Sequence, residues 1–390
     1  MQSEFGFSFP RFDIPHLQIP RFLLSEVRVP RLRIGDSEAR VPIVQGGMGV
    51  GISLSGLASA VANEGGIGVI AAAGIGMLEQ DAFVNYMEAN ARRLKAEIRK
   101  ARAMTKGLLG VNIMVALSNF SDLVRTALEE KIDFIFSGAG LPMNLPELLK
   151  GVRGAGRTKL VPIISSARAA AVIIRKWVQK YDYAPDAFVV EGPMAGGHLG
   201  FKPEQIPDPA FSLPKLVGEV VTEVRHFEDE IKKEIPVIAA GGIFTGADIR
   251  DYMDRGASGV QMATRFVGTE ECDASPEFKQ TYLEAKKEDL IIIKSPVGMP
   301  GRAIRNQFID DVGAGKKKPF KCPYHCIVTC HQQTSPYCIA LALTSALRGR
   351  LKHGFAFAGA NAYRVKTIVT VKELVAKLLG EYRQEAGSAG

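Results

Sequence analysis

From residue 41 onward, short and nearly continuous apolar runs alternate with longer amphipathic stretches. The runs are VPIVQGG (41–47), GIGVIAA (66–72), LLGVNIMVA (108–116), DFIFSGAG (133–140), KLVPIISS (159–166), DAFVVEG (186–192), IPVIAAGG (235–242) and SGVQMATRF (258–266). Unbroken hydrophobicity of this length, rich in β-branched residues, suits strands buried on both faces of a parallel sheet. Between them, SGLASAVANEGG begins at a capping-type Ser and ends at Gly-Gly, and EQDAFVNYMEANARRLKAEIRKARAM, SSARAAAVIIRKWVQKY and GADIRDYMDRGA carry helical periodicity. Eight strand–helix alternations predict an α/β fold, a (β/α)8 or TIM barrel. A doubly wound open sheet is the alternative. It calls for G-x-G-x-x-G after the first strand, and QGGMGVG (45–51) does not have that spacing.

The flanks read differently. Residues 1–40 repeat Pro10-Arg11-Phe12, Pro20-Arg21-Phe22 and Pro30-Arg31-Leu32, which predicts an extended N-terminal arm lying on the main domain. The barrel is expected over 41–270, and 271–390 is expected to form a C-terminal cysteine-containing cap over its mouth. Near the end, Thr370 and Glu373 have the spacing of a capping box.

If the barrel reading holds, chemistry belongs at the C-terminal strand ends. His198 follows the sixth run in EGPMAGGHLG, behind Gly196 and Gly197, whose missing side chains let backbone approach a ligand. A histidine there can act as acid, base or hydrogen-bond donor near neutral pH. Gly241-Gly242 and Ala263-Thr264 end the seventh and eighth runs, where backbone N–H groups of barrels commonly bind phosphate. Asn112 is polar inside an apolar run, and needs either a ligand ring or a hydrogen bond across the barrel.

These motifs resemble one family. PIVQGGMGVG, GVNIM, EGPMAGGHLG, IPVIAAGGI and GVQMATRF, in this order over residues 41 to 266, are similar to the nitronate monooxygenase (2-nitropropane dioxygenase) enzymes, with a fainter echo in GMPGRAIRN. The resemblance implies FMN at the barrel mouth. It places Gly46, Gly47, Met48, Asn112, Glu191, Gly196, Gly197, Gly241 and Gly242 at flavin-contacting positions. It assigns Gln261, Met262, Ala263 and Thr264 to the phosphate segment, and His198 to the catalytic position beside the flavin. The implied reaction is oxidation of an alkyl nitronate with O2. The same scaffold serves FMN-dependent NAD(P)H reductases of enoyl-acyl-carrier-protein or quinone substrates, and a non-catalytic flavoprotein scaffold or a flavin-free isomerase are further readings. Many members have Gln where this chain has Glu191, and Gly where it has Ala263.

Charge and cysteines add less. The net charge of +8 and pI of about 9.1 indicate a basic surface, or an acidic partner such as an acyl carrier protein under the reductase reading. No nucleic-acid signature is present, no apolar run reaches membrane-spanning length, and the N-terminus does not read as a signal peptide, so a cytoplasmic enzyme acting on a small molecule is expected, with homo-oligomerisation open. Cys322, Cys326, Cys330 and Cys338, spaced C-x3-C-x3-C-x7-C with His325 and His331 between them, suggest a zinc or iron–sulfur site. Reduced thiols packed inside a cap are the other reading.

Overall fold

The computed structural model describes residues 28–317, 322 and 324–388. Thirteen strands are found among them: β1 (Leu32–Ile34), β2 (Ser37–Ala39), β3 (Ile43–Gln45), β4 (Ile67–Ala71), β5 (Leu108–Met114), β6 (Phe134–Gly138), β7 (Lys159–Ile164), β8 (Phe188–Glu191), β9 (Gly197–His198), β10 (Val237–Ala240), β11 (Gly259–Met262), β12 (Leu290–Lys294) and β13 (Pro300–Ile304). Strands β3 to β8, then β10 and β11, close into an all-parallel barrel in which β11 pairs back onto β3. Each of the eight apolar runs supplies one of these strands.

The runs are continuous because both strand faces are covered. Ile43, Leu109, Val111, Ile135, Leu160, Val190, Ala239 and Val260 share one core with residues of the surrounding helices, such as Leu57, Leu94, Trp177 and Val217. Val44, Ile67, Val69, Phe134, Phe136, Val161, Val189 and Ile238 form a second core inside the barrel. The side-chain alternation of a strand assigns one set outward and the other inward.

The inner core also contains Leu32, Ile34 and Ala39. These belong to the antiparallel hairpin β1–β2, which closes the N-terminal end of the barrel. Asp36 at its turn pairs with Lys159 at the start of β7 at 2.7 Å, and a Cβ on Gly259 at the start of β11 would stand 3.2 Å from Leu32. So the last part of the segment expected to be an extended arm is a plug. The first two Pro-Arg repeats lie outside the described residues.

At the opposite end, β12 and β13 form an antiparallel pair, and β13 extends it to β9 through Gly301↔His198 and Arg302↔Gly197. The segment around Cys326 lies against the loop after β5, with a Leu117↔Ile327 bridge and Val328 N–H donating to Ala116 O at 2.9 Å. The helix Val371–Ser388 packs instead on the barrel helix Gly246–Asp254, whose first N–H donates to the Glu381 carboxylate at 2.7 Å. Its start carries the expected capping box, Thr370 N–H to Glu373 Oε2 at 2.8 Å and Glu373 N–H to Thr370 Oγ1 at 3.1 Å.

Candidate active site

Strand alternation sets the floor of the site. In β5, Leu109, Val111 and Ile113 face the helices, so Asn112 faces the barrel axis. In β8, Val190 faces out and Glu191 faces in; in β11, Val260 and Met262 face out and Gln261 faces in. All three lie at C-terminal strand ends, above the apolar inner core. Among the described residues, none hydrogen-bonds the Asn112, Glu191 or Gln261 side chains. Gln45, another polar residue at a strand end, is different. Its Oε1 accepts from Val69 N–H at 3.0 Å and its Nε2 donates to Gly46 O at 2.6 Å, so it is a structural amide.

Above that floor lies a cavity of about 650 Å³. Gly46, Gly47, Met48, Asn112, Glu191, Gly196, Gly197, His198, Gly241, Gly242, Gln261, Met262, Ala263 and Thr264 all line it. The glycines create its room. A Cβ on Gly47 would stand 2.4 Å from Asn112 Cβ. Gly241 and Gly242 turn the chain after β10 with φ of 99° and 89°, conformations that glycine adopts without strain. No Lys, Arg or Asp lines the cavity among the described residues, and Glu191 is its one carboxyl group.

His198 is held by the C-terminal region. Its Nε2 lies 2.7 Å from Ser295 Oγ, in the turn joining β12 to β13, and its ring meets Phe357 edge-on at 5.0 Å. Burial pushes the imidazole down to about 4, so the ring is neutral at pH 7. Burial pushes Glu191 the other way, up to about 7. The loop carrying His198 is clamped by Arg302, whose guanidinium donates to Pro193 O at 2.5 Å and Ala195 O at 2.7 Å. Tyr282 donates to Phe357 O, and Asn361 Nδ2 donates to Gly242 O. Behind the β10 loop, the guanidiniums of Arg265 and Arg364 lie 4.4 and 4.3 Å from the centre of the Phe244 ring.

Ser295, Arg302, Phe357 and Asn361 were not singled out by sequence. Their roles depend on contacts between segments about a hundred residues apart, and only GMPGRAIRN, which contains Arg302, hinted at them.

The cysteines lie to one side of this site. Among the described residues, no three His, Cys, Asp or Glu side chains are grouped so as to hold a metal ion. Cys322, Cys326 and Cys338 pack in an apolar cluster with Met77, Tyr86 and Tyr324, and Cys330 Sγ instead faces Ser335 Oγ at 3.8 Å. Burial pushes the Cys326 thiol up to about 12. The four thiols are free, and Cys326 alone of the four reaches the cavity.

The comparisons with known proteins agree with this architecture. FabK from Thermotoga maritima superposes with a TM-score of 0.67 at 27% identity, covering 89% of this chain and 94% of that one. A probable nitronate monooxygenase of Staphylococcus aureus is 30% identical over 298 residues, 70% of this chain and 77% of the relative. A (3aS,4S,5R,7aS)-5-hydroxy-7a-methyl-1-oxo-octahydro-1H-indene-4-carboxyl-CoA dehydrogenase of Mycobacterium tuberculosis is 29% identical over 276 residues, 71% of this chain and 66% of the relative's length. The family model described as nitronate monooxygenase matches residues 33–381, from the hairpin plug through the barrel and the elements that hold His198 to the C-terminal helix, and the chain belongs to that family of oxidoreductases.

Proposed function

We propose that the protein is an FMN-dependent oxidoreductase whose chemistry takes place above Asn112, Glu191 and Gln261, with His198 at the side. The observation that carries this reading is the inward-facing polar layer, which has no hydrogen-bond partner among the described residues, since unpartnered polar groups in a cavity call for a ligand bearing donors and acceptors. A flavin ring fits that requirement. The glycine-rich walls suit a flat ring, and Gly47 in particular admits no side chain, because its Cβ would stand 2.4 Å from Asn112 Cβ. Gly241, Gly242, Ala263 and Thr264 would hold the phosphate through backbone N–H groups and one hydroxyl, no Lys or Arg lining the cavity among the described residues. Bound FMN would supply the electron transfer. Neutral His198, fixed by Ser295, would orient the substrate and take or return a proton.

For the substrate, the family match and the Staphylococcus aureus relative support oxidation of alkyl nitronates with O2. A second reading, NAD(P)H-dependent reduction of an enoyl thioester or quinone, is favoured by one observation. Among the described residues, no Lys or Arg lines the cavity to meet an anionic nitronate, while Leu117, Phe201, Phe211, Ile327 and Phe357 make its wall apolar. The Mycobacterium tuberculosis relative, named for a CoA-linked substrate, also supports it.

The test is an anaerobic absorbance spectrum before and after NADH and then NADPH. Bound oxidised flavin gives a band near ~450 nm. If the band is absent and FMN does not restore it, the flavin reading fails. Rapid bleaching by either nucleotide selects the reductase, whereas bleaching only on addition of a nitronate selects the monooxygenase.

A further inference from the structure

Glu191 differs in kind from the two amides that share its layer. Asn112 and Gln261 offer a donor and an acceptor at every pH, but a carboxyl group donates only while it keeps its proton. Among the described residues lining the cavity, nothing compensates an ionised form of Glu191. Among the described residues, the titratable groups facing the cavity besides Glu191 are Tyr86 from the helix Tyr86–Met104, His198 from β9, Tyr282 from the helix Pro276–Glu284, and Cys326. Strands β7 and β10 on either side of β8 contribute only Ile163, Ile164 and Ala240 to the wall. Tyr282 spends its hydroxyl proton on Phe357 O, Tyr86 belongs to the apolar cluster, and His198 is neutral. Among the described residues, no positive charge lines the cavity to offset a carboxylate's loss of water.

Resting on the flavin reading above, we infer that Glu191 remains a carboxylic acid in the occupied cavity and donates its O–H to an oxygen of the bound flavin, so that flavin retention is coupled to pH through this side chain. The direction follows from linkage. The acid form binds, so ionisation of Glu191 in the empty cavity competes with binding and affinity falls as pH rises. Burial places that ionisation at about 7. With only the acid form competent, the dissociation constant rises about thirtyfold between about pH 6 and pH 8.5.

The test uses the holoprotein as purified. It is diluted stepwise across that pH range, and released flavin is read by fluorescence for wild type and Glu191→Gln. Gln keeps a donor at every pH, and ionisations of the flavin itself affect both proteins equally. The expected result is a wild-type to Glu191→Gln ratio of dissociation constants that rises about thirtyfold with pH. Parallel profiles overturn the inference. Wild-type protein gives an independent reading, because the infrared band of a protonated carboxyl should persist in the holoprotein to about pH 8. Loss of that band near pH 5 also overturns it, whether or not the Gln variant folds. A protein that carries no flavin and takes none up instead removes the flavin reading itself, an outcome distinct from either of these.

Discussion

Gly196 and Gly197 stand side by side before His198, and the structure requires them for different reasons. A Cβ on Gly196 would lie 2.5 Å from Ala358 C and 2.5 Å from Gly359 N, both backbone atoms that no rotamer change can move. Ordinary contact needs about 1 Å more. The two segments cannot simply separate, because Ala360 N–H donates to Met194 O at 3.0 Å and Ala358 N–H to Arg302 O at 3.1 Å. Gly196→Ala should therefore cost about 1–3 kcal/mol of stability as an overpacked contact. It should also displace His198 by a good part of an ångström, and displacements near 1 Å lower turnover about a hundredfold. Gly197 has open space around its Cβ position but a φ of 78°. Gly197→Ala should cost about 1–2 kcal/mol through backbone strain alone, and Gly197→Asn less, since Asn tolerates that conformation. The assay is kcat/KM on whichever substrate the wild type turns over, with denaturant midpoints and flavin content measured on the same preparations. Wild-type turnover and stability in Gly196→Ala would refute the reasoning, as would a larger loss of turnover in Gly197→Ala than in Gly196→Ala.

Three more expectations follow from the site. Ser295→Ala removes the partner of His198 Nε2 and should lower kcat/KM by roughly five- to a hundredfold, the equivalent of about 1–3 kcal/mol for a buried group left unsatisfied, while flavin content holds; kcat/KM within twofold of wild type would remove Ser295 from the site's working parts. His198 titrates at about 4 folded against an ordinary 6.5, so the unfolded chain takes up the proton first as pH falls, and stability is lost from about pH 6.5 down to 4, by up to about 3 kcal/mol; denaturation curves of wild type and His198→Gln should diverge with that sign, and superimposable acid profiles would contradict the burial argument. Arg302→Met leaves the carbonyls of Pro193 and Ala195 without their donor, so amide exchange in the 193–198 loop should accelerate at least tenfold, and unchanged protection would show that the clamp is dispensable.

The barrel was legible because its signal is local. A parallel strand covered on both faces must be apolar throughout, so LLGVNIMVA or IPVIAAGG marks a strand without reference to the rest of the chain. The polar exceptions were legible for the same reason, and Asn112 stood out because it breaks such a run. What depends on contacts distant in sequence was not legible. Nothing in GHLG indicates that His198 will join a sheet with Pro300–Ile304, or that Ser295 will meet its ring. Ser55 shows the limit on a smaller scale. It has the residue type of a helix cap, yet Asp273 does the capping, accepting from the N–H groups of Leu54, Gly56 and Leu57. Cysteine spacing fixes distance along the chain but not the direction of each thiol. Cys330 turns to Ser335 while its neighbours enter an apolar wall.

The hairpin β1–β2 also bears on how the chain is made. It leaves the ribosome before any barrel strand, yet Leu32, Ile34 and Ala39 have no inner core to join until Val44, Phe134, Val161 and Ile238 are brought together. Its anchors, Lys159 and Gly259, are synthesised later still relative to the hairpin itself. The nascent chain thus presents the apolar face of the hairpin before the strands that cover it are made, and the contact between Leu32 and β11 can form only once Gly259 has been synthesised. Removing residues through Ala39 would leave a growing chain with less to protect and a finished barrel with its lower end open to water, so such truncations exchange one hazard of biogenesis for another.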